Sequence, residues 1–516
     1  MMKKIYLVLI AAAITFSGCK KYFDVNTDPA TPQNPESKTL TPPLFAQMER
    51  GIQFDARYLG GTIQYFGGNV NVGETHGWLV GSDALGEIWR TTYYGLGANL
   101  SLIIEDSQKR EEWNYVGLAQ SLRAWGWQVA TDYHGEIILK QAFEPNRFVF
   151  DYDSQEEVYA EVVRLANESI KNFQRTDGKG TQVKMLGYDL AYQGDASKWI
   201  KFNYGLLARN ANNLVNKASY NPTKVIEYVD KALASNADNF IVPNAGTTAV
   251  NGNFFGPLRA NLGSYRQTRL IVGLLDGTYL TGTPGSVIDP RRNNMITASV
   301  DGTFRGTNPG SSDPGTVALK NQIPNPWGSL ASANPGAGQG KYIFKDNAGF
   351  PIMTFAEMQF IKAEAAFRAG NPGLALTAYQ AGIGASIDFV SSVGPVITPA
   401  AKAAYLASDA VKKTAATLTL ADIMLQKYLA LYGYGFVETW NDLRKYNYNV
   451  GDAKGNNPYV NAFFFPTSFF ADNGGKPAQR TRPRYNSEYL WNVEALKKIG
   501  ADKVDYHTYK MWFTEP

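Results

Sequence analysis

The chain is poor in the residues from which most catalytic and metal centres are built. Its 516 residues include three histidines, His76, His134 and His507, and a single cysteine, Cys19. The histidines stand far apart, without the short spacing that brings two ligands to one ion, so loop or helix-end roles suit them better than a zinc site. One cysteine rules out an internal disulfide. Charge is balanced as well as sparse: 50 Lys+Arg against 46 Asp+Glu leave a net +4. No basic cluster accompanies that surplus, which argues against a nucleic-acid partner. Beyond the first segment, no apolar run approaches the roughly 20 residues a membrane-spanning helix needs. The pairs Gly60-Gly61 and Gly67-Gly68 do not fit a phosphate-binding loop.

What is present begins at the N-terminus. Lys3 and Lys4 precede an apolar run from Ile5 to Phe16, which ends in Ser17-Gly18-Cys19. This pattern resembles a lipoprotein signal over residues 1–18, with Cys19 as the lipidated first residue of the mature chain. Several acyl chains together hold a protein durably where one holds it marginally. Residues 19–43 then carry Pro29, Pro32, Pro35, Pro42 and Pro43. That proline density predicts an extended tether without helix, with a reach on the order of 70 Å at about 3.1 Å per residue.

Residues 44–516 are expected to form one domain, mainly α, of helix pairs with long irregular elaborations. Apolar residues recur at helical spacing from Tyr115 through Leu118, Leu122, Trp125 and Val129. Ser154-Gln-Glu-Glu157 is a capping box that opens a second helix. A third helix starts near Ala196, and Asn221-Pro222 precedes a shorter one. Met353 to Ala369 reads as a buried helix, followed across Gly370-Asn371-Pro372 by a striped partner. Ala363 and Phe367 keep the small-then-aromatic spacing of tetratricopeptide pairs, which bury their apolar faces by stacking into a curved scaffold. On the same helix, Glu364 and Arg368 are spaced to pair with each other. The elaborations fall at Phe66–Gly86 and Thr281–Phe350, both rich in glycine and asparagine, and loops of that length often build binding surfaces.

Several stretches together resemble the SusD/RagB family, in its SusD-like lipoprotein branch. They are Cys19-Lys-Lys-Tyr-Phe-Asp24 onward to Pro29; Asp189-Leu-Ala-Tyr192-Gln-Gly194-Asp195 with Lys198-Trp199; and Asp289-Pro290-Arg291. Further along come Phe355-Ala-Glu357 through Glu364-Ala-Ala-Phe367, Gln426-Lys427-Tyr428, Trp440-Asn-Asp-Leu-Arg444 and Asn486-Ser-Glu488. Their order covers nearly the whole mature chain. The resemblance implies a helical fold with four tetratricopeptide-like units. It also implies an outer-membrane, lipid-anchored protein facing the cell exterior and serving as the lid of a TonB-dependent, SusC-like transporter. Such proteins bind oligosaccharides, and some take peptides.

A sugar site needs aromatic planes for the C–H faces and amide or charged groups for the hydroxyls. Trp78, in the loop with Asn71 and His76, and Trp327, beside Asn325, are the candidate platforms; Tyr65, Phe254, Phe255 and Arg259 stand behind them. Each of these aromatics has an alternative as core packing, which large indoles commonly supply. No cofactor or metal is expected. Asp151-Tyr-Asp153-Ser-Gln-Glu156 lacks the glycine and distal glutamate of a calcium loop. Two alternatives to nutrient capture remain, a scaffold that only holds protein partners and a secreted hydrolase. The second would need two carboxylates across one cleft.

Overall fold

The computed structural model describes residues 36–68, 72–179, 185–311, 321–330 and 333–516. The signal segment, Cys19 and Asn71 lie outside them. Helix α1 (Ser37–Thr62) is followed by the short α2 (Glu87–Arg90), which runs through a π-helical turn, Thr91–Gly97, into α3 (Ala98–Lys109). Then come α4 (Trp113–His134), α5 (Gln155–Phe173), α6 (Ala196–Asn213) and α7 (Pro222–Lys231). Strands β1 (Phe240–Val242) and β2 (Phe350–Met353) pair antiparallel, with Phe240 opposite Met353. Helices α8 (Phe355–Arg368), α9 (Pro372–Val393), α10 (Leu420–Ala430) and α11 (Phe436–Lys445) complete the frame, with shorter helices in the connections. Consecutive helices pack as pairs, α4 on α5, α5 on α6, α6 on α7 and α8 on α9. None of the described helices is long and apolar enough to cross a membrane.

Capping side chains mark where several of these helices begin. Before α5 the capping box forms as expected, with the Ser154 hydroxyl and the Glu157 carboxylate each accepting from the other's amide. Asn221 caps α7 and Asn371 caps α9, each with proline in the first turn. The expectation that prolines keep helix out of the segment before residue 44 is corrected, because α1 contains Pro42 and Pro43. Their missing N–H groups forfeit bonds to the carbonyls of Lys38 and Thr39, two exposed residues whose carbonyls water can reach. Against that loss stand Leu44, Phe45, Met48 and Ile52, all buried. At about 1.5–3 kcal/mol each, their burial outweighs the roughly 3 kcal/mol that an interior proline costs.

The motifs that carry the family resemblance are mostly buried polar anchors. Asp195 caps α6, while Asp189 accepts from the amides of Tyr192 and Gly194 and, at 2.7 Å, from the Trp199 indole. Trp199 itself is fully buried, 5.4 Å from Phe240 ring to ring. Arg291 forms a two-pronged pair with Asp289 at 2.9 and 2.6 Å, in a place no solvent reaches. Arg209 on α6 does the same with Glu357 on α8, at 2.6 Å on both prongs, and lies 3.1 Å from Glu438 on α11. The expected pairing of Glu364 with Arg368 is also corrected. Glu364 is engaged by Lys445 at 3.1 Å, by the Tyr446 hydroxyl and by Asn212, while Arg368 donates to Tyr446 at 2.9 Å. Spacing along one helix cannot show that a buried carboxylate has a nearer cation on another.

Removing one member of a buried pair leaves its partner's charge without compensation. Arg209→Leu should therefore destabilise the fold by about 3–5 kcal/mol, read as a fall in the urea midpoint. A variant within about 0.5 kcal/mol of the parent would show that the pair holds nothing in place.

Candidate ligand-binding cleft

Between α2 and α3 the helix widens into a π turn, Thr91–Gly97, directly after Trp89 and Arg90. Two carboxylates fix its start. Asp55 of α1 accepts from the Ile88 amide at 3.0 Å, and Glu87 receives Arg50 at 3.0 Å and Arg90 at 2.9 Å. The Thr92 hydroxyl donates to the Ile88 carbonyl, supporting the widened turn from inside. Such π turns concentrate at functional positions. Here the widened turn sets Trp89, Tyr93 and Tyr94 along one wall of an open cleft of about 510 Å³. That volume falls in the range of about 300–1,000 Å³ usual for ligand sites.

The opposite wall comes from the loop after α4. Phe143 holds φ at 66°, a left-handed conformation that costs a bulky residue on the order of 1–2 kcal/mol. Packing keeps it there: its ring lies 6.1 Å from Trp127 and 6.3 Å from Tyr93, with the Arg123 guanidinium 5.2 Å away. Gly97 makes room, since a Cβ at that position would stand 2.2 Å from the Phe143 ring. Phe150 continues this wall, and Arg484, Ser487 and Glu488 close the end, the last two on a second π turn, Tyr485–Tyr489.

The cleft's polar groups are oriented before any ligand arrives. The Tyr93 hydroxyl donates to the Ile138 carbonyl at 2.7 Å, and burial pushes its pKa far up, so it stays protonated. Glu488 accepts from Tyr152 at 2.6 Å and Asn492 at 2.9 Å. Arg90 lies 4.9 Å from the Tyr94 ring, and Tyr94 is 75% exposed. Arg90 and Arg484 are each held by a carboxylate, from Glu87 and Asp83, and each guanidinium has N–H groups beyond those bonds to offer. Flat apolar faces with a few directed donors suit a ring that has C–H faces and a polar edge.

The residues singled out from sequence lie elsewhere. Of the two readings left open for Trp78 and Trp327, the structure shows packing: both indoles fold back and are buried. Trp78 packs between the Arg482 guanidinium, 4.0 Å from its ring, and Tyr489. The Trp327 indole donates to the Phe255 carbonyl at 2.7 Å, and Asn325 shapes the turn by accepting from the Trp327 and Ser329 amides. His76 is buried, its Nδ1 accepting from the Ala478 amide, and burial lowers its pKa to about 3. Tyr65 is core, its hydroxyl 2.6 Å from that of Thr439. Phe255 is core as well. Phe254 is half-buried, 5.8 Å from Phe54, and Arg259 is exposed on a short helical turn. None of these eight residues lines the cleft.

Sequence reasoning missed Trp89, Tyr93 and Tyr94 because a Trp-x3-Tyr spacing reads as one face of an ordinary helix. A signal did exist for the other wall, where Phe143, Phe148 and Phe150 crowd a short stretch containing Pro145 and Asn146. Among the described residues, no group of three or more His, Cys, Asp or Glu is placed to hold a metal ion. Four acids, Asp132, Glu357, Glu438 and Asp442, line a cavity of about 20 Å³, room for a water molecule and not for a sugar ring.

A family model for SusD-like proteins, described as starch-binding and associating with the outer membrane, matches residues 29–461. A crystal structure of a SusD/RagB family protein from Bacteroides thetaiotaomicron is 22% identical, with a TM-score of 0.68 over 93% of this chain and 99% of that one. A chitin-binding SusD homolog from Flavobacterium johnsoniae is 20% identical, with a TM-score of 0.66 over 93% and 98%. One from Parabacteroides distasonis is 18% identical, with a TM-score of 0.68 over 92% and 98%. No curated protein sequence matches.

Asp55, which anchors the cleft's first wall, carries a pH signature. Burial raises its carboxyl to about 8, against about 3.9 in the unfolded chain. Between those values the folded state holds the extra proton, so this contribution is whole below about pH 4 and is lost as pH rises through about 8. Asp55→Asn keeps an acceptor for the Ile88 amide and removes the titration. Urea unfolding at mildly acidic pH and again near pH 8 should show the parent losing stability relative to the variant, by up to about 1.4 kcal/mol per pH unit. Parallel pH profiles would count against a neutral Asp55.

Proposed function

The chain belongs to the SusD-like family, described as starch-binding and associating with the outer membrane, and from that premise we propose that it captures an oligosaccharide at the aromatic cleft and delivers it to a SusC-like, TonB-dependent transporter. The observation that carries the sugar reading is the cleft itself. Trp89, Tyr93, Tyr94, Phe143 and Phe150 supply faces for pyranose C–H surfaces, and Arg90 and Arg484 line the same cleft with N–H groups for the ring's hydroxyls. Chitin binding by the Flavobacterium johnsoniae homolog of the same fold supports the choice of a glycan. Nothing in the cleft pairs a nucleophile with a base, and its carboxylate, Glu488, is committed to Tyr152 and Asn492, which fits capture better than turnover.

Lipid on Cys19 would hold the protein at the outer membrane, facing outward, with the residues before α1 as its stalk. Acting as a lid, the protein would swing over the transporter. A glycan touching both partners favours the closed arrangement by its differential affinity for it.

Tyr94→Ala should weaken glycan binding about tenfold in calorimetry and leave the thermal midpoint unchanged, since Tyr94 is exposed. If a broad panel of glycans fails to bind and peptides bind instead, the capture role stands and the sugar assignment falls.

A further inference from the structure

We infer that the ligand path continues out of the cleft onto a shelf made by Phe148 and Trp491, so that the protein selects chains of several sugar units over short ones. This rests on the reading that the cleft holds a glycan. Of the ten tryptophans, all within the described residues, Trp491 alone is exposed, at 75%. Phe148 is 82% exposed, and Val149 and Leu490 beside them are more than half exposed. A scattered surface hydrophobe calls for no explanation, but these four fall on two segments that hydrogen-bond to each other.

The two segments are tied at the cleft's edge. Asn492 accepts from the Phe150 amide at 3.1 Å and donates to the Phe150 carbonyl at 3.0 Å. It also donates to Glu488 at 2.9 Å. Phe150 and Glu488 both line the cleft. Trp491 precedes Asn492 by one residue and Phe148 precedes Phe150 by two, so both leave the wall where the clamp closes. An indole in water at the mouth of an aromatic groove offers one more plane for a sugar unit that the cleft has no room for. The Asn492 amide serves here as a positioning residue, holding the shelf against the groove.

Calorimetry on the full-length protein with chito- and malto-oligosaccharide ladders, from disaccharide to hexasaccharide, tests this. Affinity should climb with length in the parent. Trp491→Ala should lose about tenfold for the longest members and nothing for the shortest, and Trp491→Phe should restore most of the loss. The inference is overturned if length brings no gain in the parent, if Trp491→Ala matches the parent at every length, or if it weakens all lengths equally. If no member of either ladder binds the parent, the glycan reading of the cleft fails first and the shelf with it; binding that ignores length defeats the shelf alone.

Discussion

Charged groups sealed inside the helical frame constrain everything else. Arg209 joins α6 to α8 and α11 through Glu357 and Glu438, and Lys445 joins α11 to α8 through Glu364. Lys427 of α10 meets Asp442 at 2.8 Å, and Asp442 also meets Lys445. An ion buried without its counter-ion is far costlier than a lost apolar contact, so these helices have few alternative registers. Around Arg209 two carboxylates face one guanidinium. Burial and the nearby Glu357 charge raise the pKa of Glu438, which is the group that takes up the proton when this imbalance is relieved.

That rigidity lets the loops be irregular where the cleft is built. A π turn and a left-handed phenylalanine are both unfavourable locally, and each persists because its surroundings over-determine it. Phe143 is fixed by Trp127, Tyr93, Arg123 and the space above Gly97. From α1, Asp55 holds the Ile88 amide and Arg50 holds Glu87, and these contacts fix the start of the π turn. The strain sits at the walls of the open aromatic groove, which strengthens the case that those walls have a task beyond packing.

The frame was far more legible in the sequence than the groove. Caps at Ser154, Asn221 and Asn371 announce their helices through local chemistry that tertiary contacts do not override. The family motifs were also visible, but the structure gives them a structural meaning: Asp189, Arg291, Glu357 and Arg444 are anchors. Arg444, for example, lies 3.8 Å from the Trp440 ring and donates to the Asp132 carbonyl. Pro42 and Pro43 misled because burial energy beyond their own turn decides the outcome. Trp78 and Trp327 misled because a glycine-rich loop lets an indole turn inward as easily as outward. The π turn left no trace in the periodicity, and the groove's far wall needed partners from opposite ends of the chain.

The groove is assembled from residues near 90, near 145 and near 487, and the clamp between Phe150 and Asn492 spans 342 positions of sequence. No nascent fragment possesses it. During synthesis the groove stays incomplete until the segment around Glu488 docks, and a molecule clipped before that segment would keep helices α1 to α11 while losing one end of the groove.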